Sequence, residues 1–132
     1  MIMNGHAYEK ACVGYLRRHG YSGVTLTGNS GDYGVDIICR RLIKRYAVQC
    51  KYYSRPVGVA AVQQVVGGMA YYDCDRAIVI TNTTFTRQAY ELAERNNVTL
   101  IHGYDGRTGL RVKLFILIVL LVIANIAVNY YL

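Results

Sequence analysis

Asp36, Gln49 and Lys51 are three polar residues that a pair of strands would bring together: Asp36 sits in a β-rich run, and Gln49 and Lys51 lie two apart on the next. Alternate residues of a strand point to one side, so Gln49 and Lys51 share a face, and an adjacent antiparallel strand can carry Asp36 to it. Such a set suits phosphodiester hydrolysis. That reaction needs oxygen ligands for a hard cation such as Mg²⁺, and a positive group to orient the attacking water or steady the transition state. The Asp36 carboxylate, the Gln49 carbonyl and Lys51 supply these, with Mn²⁺ the expected substitute ion. Because Gln49 brings no charge, a second carboxylate is expected nearby, and Glu9 on the first predicted helix is the candidate. Taken singly, each of these residues is more ordinary as a solvated surface group. Their joint placement on an apolar strand, after a Gly-Asp-Tyr-Gly-Val-Asp run, carries the reading.

The elements that must position them follow from spacing. In residues 4–19, Ala7, Tyr8, Ala11, Cys12, Tyr15 and Leu16 recur at three- and four-residue intervals, which predicts an amphipathic helix ending at Gly20. Residues 24–27 form a short strand, and the glycine-rich stretch 28–32 turns it into a hairpin with the strand 35–39. In the next strand, 46–53, Tyr46, Val48, Cys50 and Tyr52 share one face and Ala47, Gln49 and Lys51 the other, with Arg40, Arg41, Lys44 and Arg45 filling the loop before it. Beyond Pro56, residues 57–72 read as a helix, 77–81 as a buried strand, 86–96 as a helix capped by Thr86, and 98–102 as a last strand. The 103–109 stretch is expected to be a linker. This αβββαβαβ order predicts a mixed α/β sheet flanked by helices, its last strands joined by right-handed crossovers.

A chain of 132 residues holds one compact domain, and a net charge of +7 favours an anionic partner, either nucleic acid or an acidic membrane surface. Arg40, Arg41, Lys44, Arg45 and Arg55 bracket the candidate strands and are placed to neutralise DNA phosphates, with Tyr52 and Tyr53 available to stack; a soluble loop and a core face explain them equally well. Cys12, Cys39, Cys50 and Cys74 fall singly, which argues against structural zinc, and Cys39 and Cys50 in apolar runs read as reduced core residues. His6, His19 and His102 have no ligand spacing. Gly67 and Gly68 lack the strand-to-helix setting of a phosphate loop and suit close helix packing instead.

Residues 1–20 carry Glu9, Lys10, Arg17 and Arg18 and no uninterrupted apolar core, so no secretory signal is predicted. Residues 114–132 differ in kind, holding no charge. At ~1.5 Å per residue a helix over them covers roughly 28 Å, close to a bilayer's hydrocarbon thickness. Arg107, Arg111 and Lys113 form the positive flank expected on the cytoplasmic side, and Tyr130 and Tyr131 suit the other interface. The expectation is a single-pass anchor at the cytoplasmic membrane over 111–132, with residues 1–110 in the cytoplasm. A buried helix or strand pair at an oligomer interface is the alternative.

Four segments carry a resemblance: G-H-A-Y-E (5–9), G-D-Y-G-V-D-I-I (31–38), V-Q-C-K-Y-Y (48–53) and I-T-N-T-T-F-T-R-Q-A (80–89) are similar to the Mrr-type restriction endonuclease catalytic domain over about residues 5–110. The resemblance implies a restriction-endonuclease-like fold of the PD-(D/E)XK superfamily. Asp36 would be the metal-binding Asp, Lys51 the superfamily Lys, Gln49 the replacement for the usual acid, and Glu9 the helix-one Glu. Val35 replaces the superfamily's Pro. Asp32 is an accessory candidate, with a turn-stabilising role equally open. The resemblance also implies a side chain of the second helix near the site, and Gln63 is ranked ahead of Gln64.

These readings predict a Mg²⁺-dependent endodeoxyribonuclease held at the membrane, serving restriction or DNA processing, with a homodimer or a separate recognition subunit supplying target choice. A membrane-anchored DNA-binding module of the same fold, catalytically weak, is the alternative. A third reading, a small membrane protein whose soluble part mediates oligomerisation, requires Glu9, Asp36 and Lys51 to lie far apart.

Overall fold

A computed structural model describes residues 3–28 and 33–132, the side chains of 108–110 apart. The first helix, α1 (Gly5–Arg18), starts where Asn4 accepts a hydrogen bond from the Ala7 amide at 2.8 Å and ends with Arg17 and Arg18 in its last turn. Both ends satisfy what an exposed helix terminus needs, an acceptor for free amides and cations beside free carbonyls. Its predicted apolar stripe buries Tyr8, Cys12 and Leu16. The chain continues as β1 (Ser22–Leu26), β2 (Ile37–Arg41), β3 (Lys44–Lys51), α2 (Val59–Tyr71), β4 (Arg76–Thr81), α3 (Arg87–Arg95), β5 (Val98–Ile101) and α4 (Thr108–Tyr131). The predicted order is therefore observed.

The five strands lie in sequence order, β1 to β3 antiparallel and β3, β4 and β5 parallel. Strand β4 is buried from Ala77 to Thr81, as a parallel strand covered on both faces must be. One face packs Ile37, Cys39, Val48, Ile78 and Ile80 under α1; the other packs Val35, Ala47, Ala77 and Val79 under α2 and α3. The alternation read from 46–53 holds, with Tyr46, Val48 and Cys50 on the α1 side. Thr86 caps α3, its Oγ1 accepting from the Ala89 amide.

Three details depart from expectation. The basic run is not a loop: Arg40 pairs with Arg45 and Arg41 with Lys44, leaving Leu42 and Ile43 as a two-residue turn in which Leu42 takes φ of 55°. Helix α2 begins at Val59 because Pro56 precedes a bridge between Val57 and Phe85. The expected linker is pinned, since Tyr104 is buried, donates from its hydroxyl to Ala11 O at 3.0 Å, and accepts from the Tyr8 hydroxyl at 2.8 Å through its own carbonyl. An aromatic ring inside a glycine-rich stretch was the signal that the segment returns to the core. Beyond it, Arg111–Tyr131 has a mean hydropathy of 2.5 and no buried share, long and apolar enough to cross a membrane.

Candidate active site

Asp36 stands one residue before β2. Its amide donates to Val48 O at 2.8 Å, just ahead of the Ile37 to Val48 pair at which the β2–β3 register begins. Its carboxylate is held as well, Oδ2 accepting from the Cys50 amide at 2.7 Å, a short charge-assisted bond that fixes the group at the strand edge. From β1's side, the Thr27 amide donates to Asp36 O and its hydroxyl to Val35 O.

Gln49 is buried and 3% exposed. Its Nε2 donates to Gln64 Oε1 at 2.8 Å, and its Oε1 is buried without a hydrogen-bond partner. An unmatched buried amide oxygen costs about 1–3 kcal/mol, so this atom is set for a donor or a cation. Lys51 closes β3 with its Nζ 5.8 Å from the centre of the Tyr53 ring, the same ring that Arg55 approaches at 5.8 Å. Tyr53 is itself clamped: its amide donates to Asn82 Oδ1 and its carbonyl accepts from Asn82 Nδ2, both at 2.8 Å. The Thr83 hydroxyl donates to Arg55 O, so the turn after β4 fixes the segment that carries both cations. Lys51, Tyr53, Arg55, Gly58 and Gln64 line an open cleft there.

Glu9 comes from the opposite face of the sheet, 3.6 Å from His6 Nδ1. The Cys50 thiol, on the α1 side of β3, feels both carboxylates. It is pushed well above its usual pKa by its hydrogen bond with Cys12, by burial, and then by the charges of Cys12, Asp36 and Glu9. Cys12 and Cys50 are free cysteines that pack as small hydrophobes. Glu9 and Asp36 thus act on one buried group, whereas no set of three His, Cys, Asp or Glu converges on a metal-sized site among the described residues. Asp32 lies outside the described residues.

The ranking of the two glutamines is reversed. Gln64 falls on the side of α2 that buries Ala61, Val65 and Gly68 and reaches Gln49, while Gln63 points with Gln88 and Glu91 along the α2 and α3 surface. Helical register held that signal: 64 lies three from 61 and four from 68, and 63 is a step off the stripe. The Gly pair also divides. At Gly68 a Cβ would come within 2.5 Å of Val35 Cγ2, so a bare backbone lets α2 close on the Asp36 loop, and Gly67 meets nothing. Gly34 takes φ of 72°, and a Cβ there would stand 2.7 Å from Gln64 Cβ. Asn82 lies within the 80–89 segment that carries the resemblance, but its role as a clamp on Tyr53 has no mark in the sequence beyond its position directly after a buried strand.

Of the cations expected near the site, only Arg55 is there. Arg40, Arg41, Lys44 and Arg45 are at the other end of β2 and β3. Seven residues of strand at ~3.3 Å each put Lys44 roughly 23 Å from Lys51. Arg41 sits over the Tyr21 ring and Arg45 donates to Tyr72 O at 3.1 Å.

A mixed sheet of this topology, with the acid of one strand end against a Gln-x-Lys of the next, defines a restriction-endonuclease-like domain. Residues 2–105 match the family model described as restriction endonuclease, Mrr_cat, and the chain belongs to that family. Among solved structures, the DNA modification-dependent restriction endonuclease AspBHI superposes with a TM-score of 0.62 at 25% identity, over 78% of this chain and 30% of that one. The protein of unknown function AF1548 gives 0.60 at 18%, over 73% and 58%. The MspJI restriction endonuclease in complex with a 27-mer oligonucleotide gives 0.53 at 23%, over 74% and 26%. The chain spans less than two thirds of each. No curated protein matches the sequence.

Proposed function

We propose that this chain is a metal-dependent endodeoxyribonuclease, with residues 1–110 as the nuclease domain and 111–132 as a basic flank and a single-pass membrane anchor that leaves the nuclease in the cytoplasm. The carrying observation is the partnerless, buried Gln49 Oε1, on the residue beside Cys50, whose amide holds the Asp36 carboxylate, and two residues from Lys51. A hard cation takes oxygen donors of this kind, charged and neutral together, so the residues fit Mg²⁺, with Mn²⁺ as a substitute. Asp36 and Gln49 would hold it, and Glu9 adds negative charge from α1. When bound, such an ion activates water and polarises the scissile phosphoryl group.

The protein's own groups do the rest. Gln64 fixes the Gln49 amide so that its oxygen, not its nitrogen, faces the site. Lys51 orients the attacking water and meets the negative charge that grows on the pentacovalent phosphorus. Arg55, beside it on the Tyr53 ring, takes a flanking DNA phosphate. A second copy of the chain or a separate recognition subunit would supply target choice. A DNA-binding module with weak catalysis is the second reading, favoured by the neutral Gln49 at the acid's place.

Cleavage of methylated and unmethylated DNA by the full chain, with and without Mg²⁺ or Mn²⁺, tests this. The expected result is ion-dependent cleavage by the wild type and none by Asp36→Ala. DNA binding without cleavage in either ion would leave the second reading standing.

A further inference from the structure

The turn between β2 and β3 breaks three local rules at once. Leu42 and Ile43 are 95% and 92% exposed, the most exposed aliphatic pair outside α4 among the described residues. Leu42 is held at φ of 55°, a left-handed conformation that costs a bulky residue strain and that Asn or Gly would adopt freely. Behind the tip both cross-strand pairs are like-charged, Arg40 against Arg45 and Arg41 against Lys44, an arrangement that opposes pairing. Asp75, which accepts from the Arg45 amide, and the neighbouring Asp73 are the acids of the β4 start that face this end, and they leave it cationic. Two bare aliphatic side chains ringed by unneutralised cations are complementary to a surface that is anionic outside and apolar beneath.

We propose that this hairpin tip inserts into an anionic phospholipid bilayer, Leu42 and Ile43 entering the acyl boundary while Arg40, Arg41 and Lys44 meet lipid phosphates. The inference rests on the reading of α4 as an anchor, and the fold supports the pairing of the two. Tyr21, at the exit of α1, packs on Tyr46 and under Arg41, joining the hairpin to that end of α1. The foot of α4 lies beside α1, with Lys113 in a cleft that Gly14 and Arg18 also line. DNA in the Lys51 cleft is the competing occupant, and the tip stands at the far end of β3 from that cleft.

The chain contains no tryptophan, so Ile43→Trp supplies a single reporter. The full chain carrying it is reconstituted into phosphatidylserine and phosphatidylcholine vesicles, separated by flotation, and read by emission and by quenching from brominated acyl chains. A floating chain whose emission shifts to the blue and is quenched, with both effects lost when Leu42→Asp is added, supports the proposal. A floating chain whose emission stays as in water overturns the tip and leaves the anchor intact. A chain that does not float overturns both. Emission that ignores lipid and responds to duplex DNA overturns the proposal in favour of a nucleic-acid contact, and an equal response in pure phosphatidylcholine overturns the role given to the cations.

Discussion

The two ends of β3 treat polarity in opposite ways. At the Lys51 end a neutral amide is drawn inside, and its neighbours are locked by bonds from α2, from the Asn82 turn and from the Cys50 amide. At the Lys44 end aliphatic side chains are pushed out and cations are set face to face. Stability alone would bury Leu42 and Ile43 and leave Gln49 in water. Both ends therefore give up stability, and places where a sequence breaks local rules without local compensation are where function is to be sought. The difference lies in rigidity: the first end is clamped from three sides, and the second hangs from a two-residue turn.

Ways to break that contrast begin with Lys51→Ala, which should lower cleavage by roughly 10²–10³-fold, the scale of losing one charge-stabilising donor, while thermal unfolding stays put. Undiminished cleavage would remove Lys51 from the chemistry. Next, Gln64→Leu frees the Gln49 amide without touching the cleft's cations. It should cost about 10–100-fold, as loss of a ligand's supporting partner does, and the loss should appear as a higher Mg²⁺ requirement with DNA affinity kept. Gly68→Ala presses a methyl into the Asp36 loop and should destabilise the fold by ~1–3 kcal/mol, read by denaturant melts.

Cys39 lies midway along β2, and its thiol is pushed up to about 12, by burial first and by Cys74 second, from an ordinary 9.0. The folded state holds it neutral, so its contribution is complete below pH 9 and is lost as pH rises through 12. Denaturation midpoints should fall across that window, and Cys39→Val should flatten part of the fall. The smallest effect is expected at the tip. Leu42→Asn gives the turn a residue suited to its positive φ, so relief on the order of 1 kcal/mol should raise the melting temperature slightly and leave cleavage unchanged.

Much of this was legible in the chain itself. The helix and strand order was open to reading because α1 and β3 alternate cleanly, and the family motifs spanned the same elements. Asp36, Gln49 and Lys51 could be set on adjacent strands because period two fixes faces. What escaped reading depends on tertiary distance. Gln64 and Asn82 act through side chains that meet residues 15 and 29 positions away, and no local pattern marks such a meeting. The basic hairpin was taken for a loop because charge runs are normally solvated, and the strained Leu42 turn is a choice that propensity argues against.

Tyr104 also sets a length. Because its hydroxyl is held by Ala11 O and its carbonyl by the Tyr8 hydroxyl, and the Arg107 amide donates to Asp105 Oδ1 at 2.9 Å, only residues 105–107 separate the anchored residue from α4. Three residues extend about 10 Å at most. Were α4 in a bilayer, as proposed, the domain would have almost no leash: it would stay at the membrane surface, and any DNA it acts on would have to come to it there.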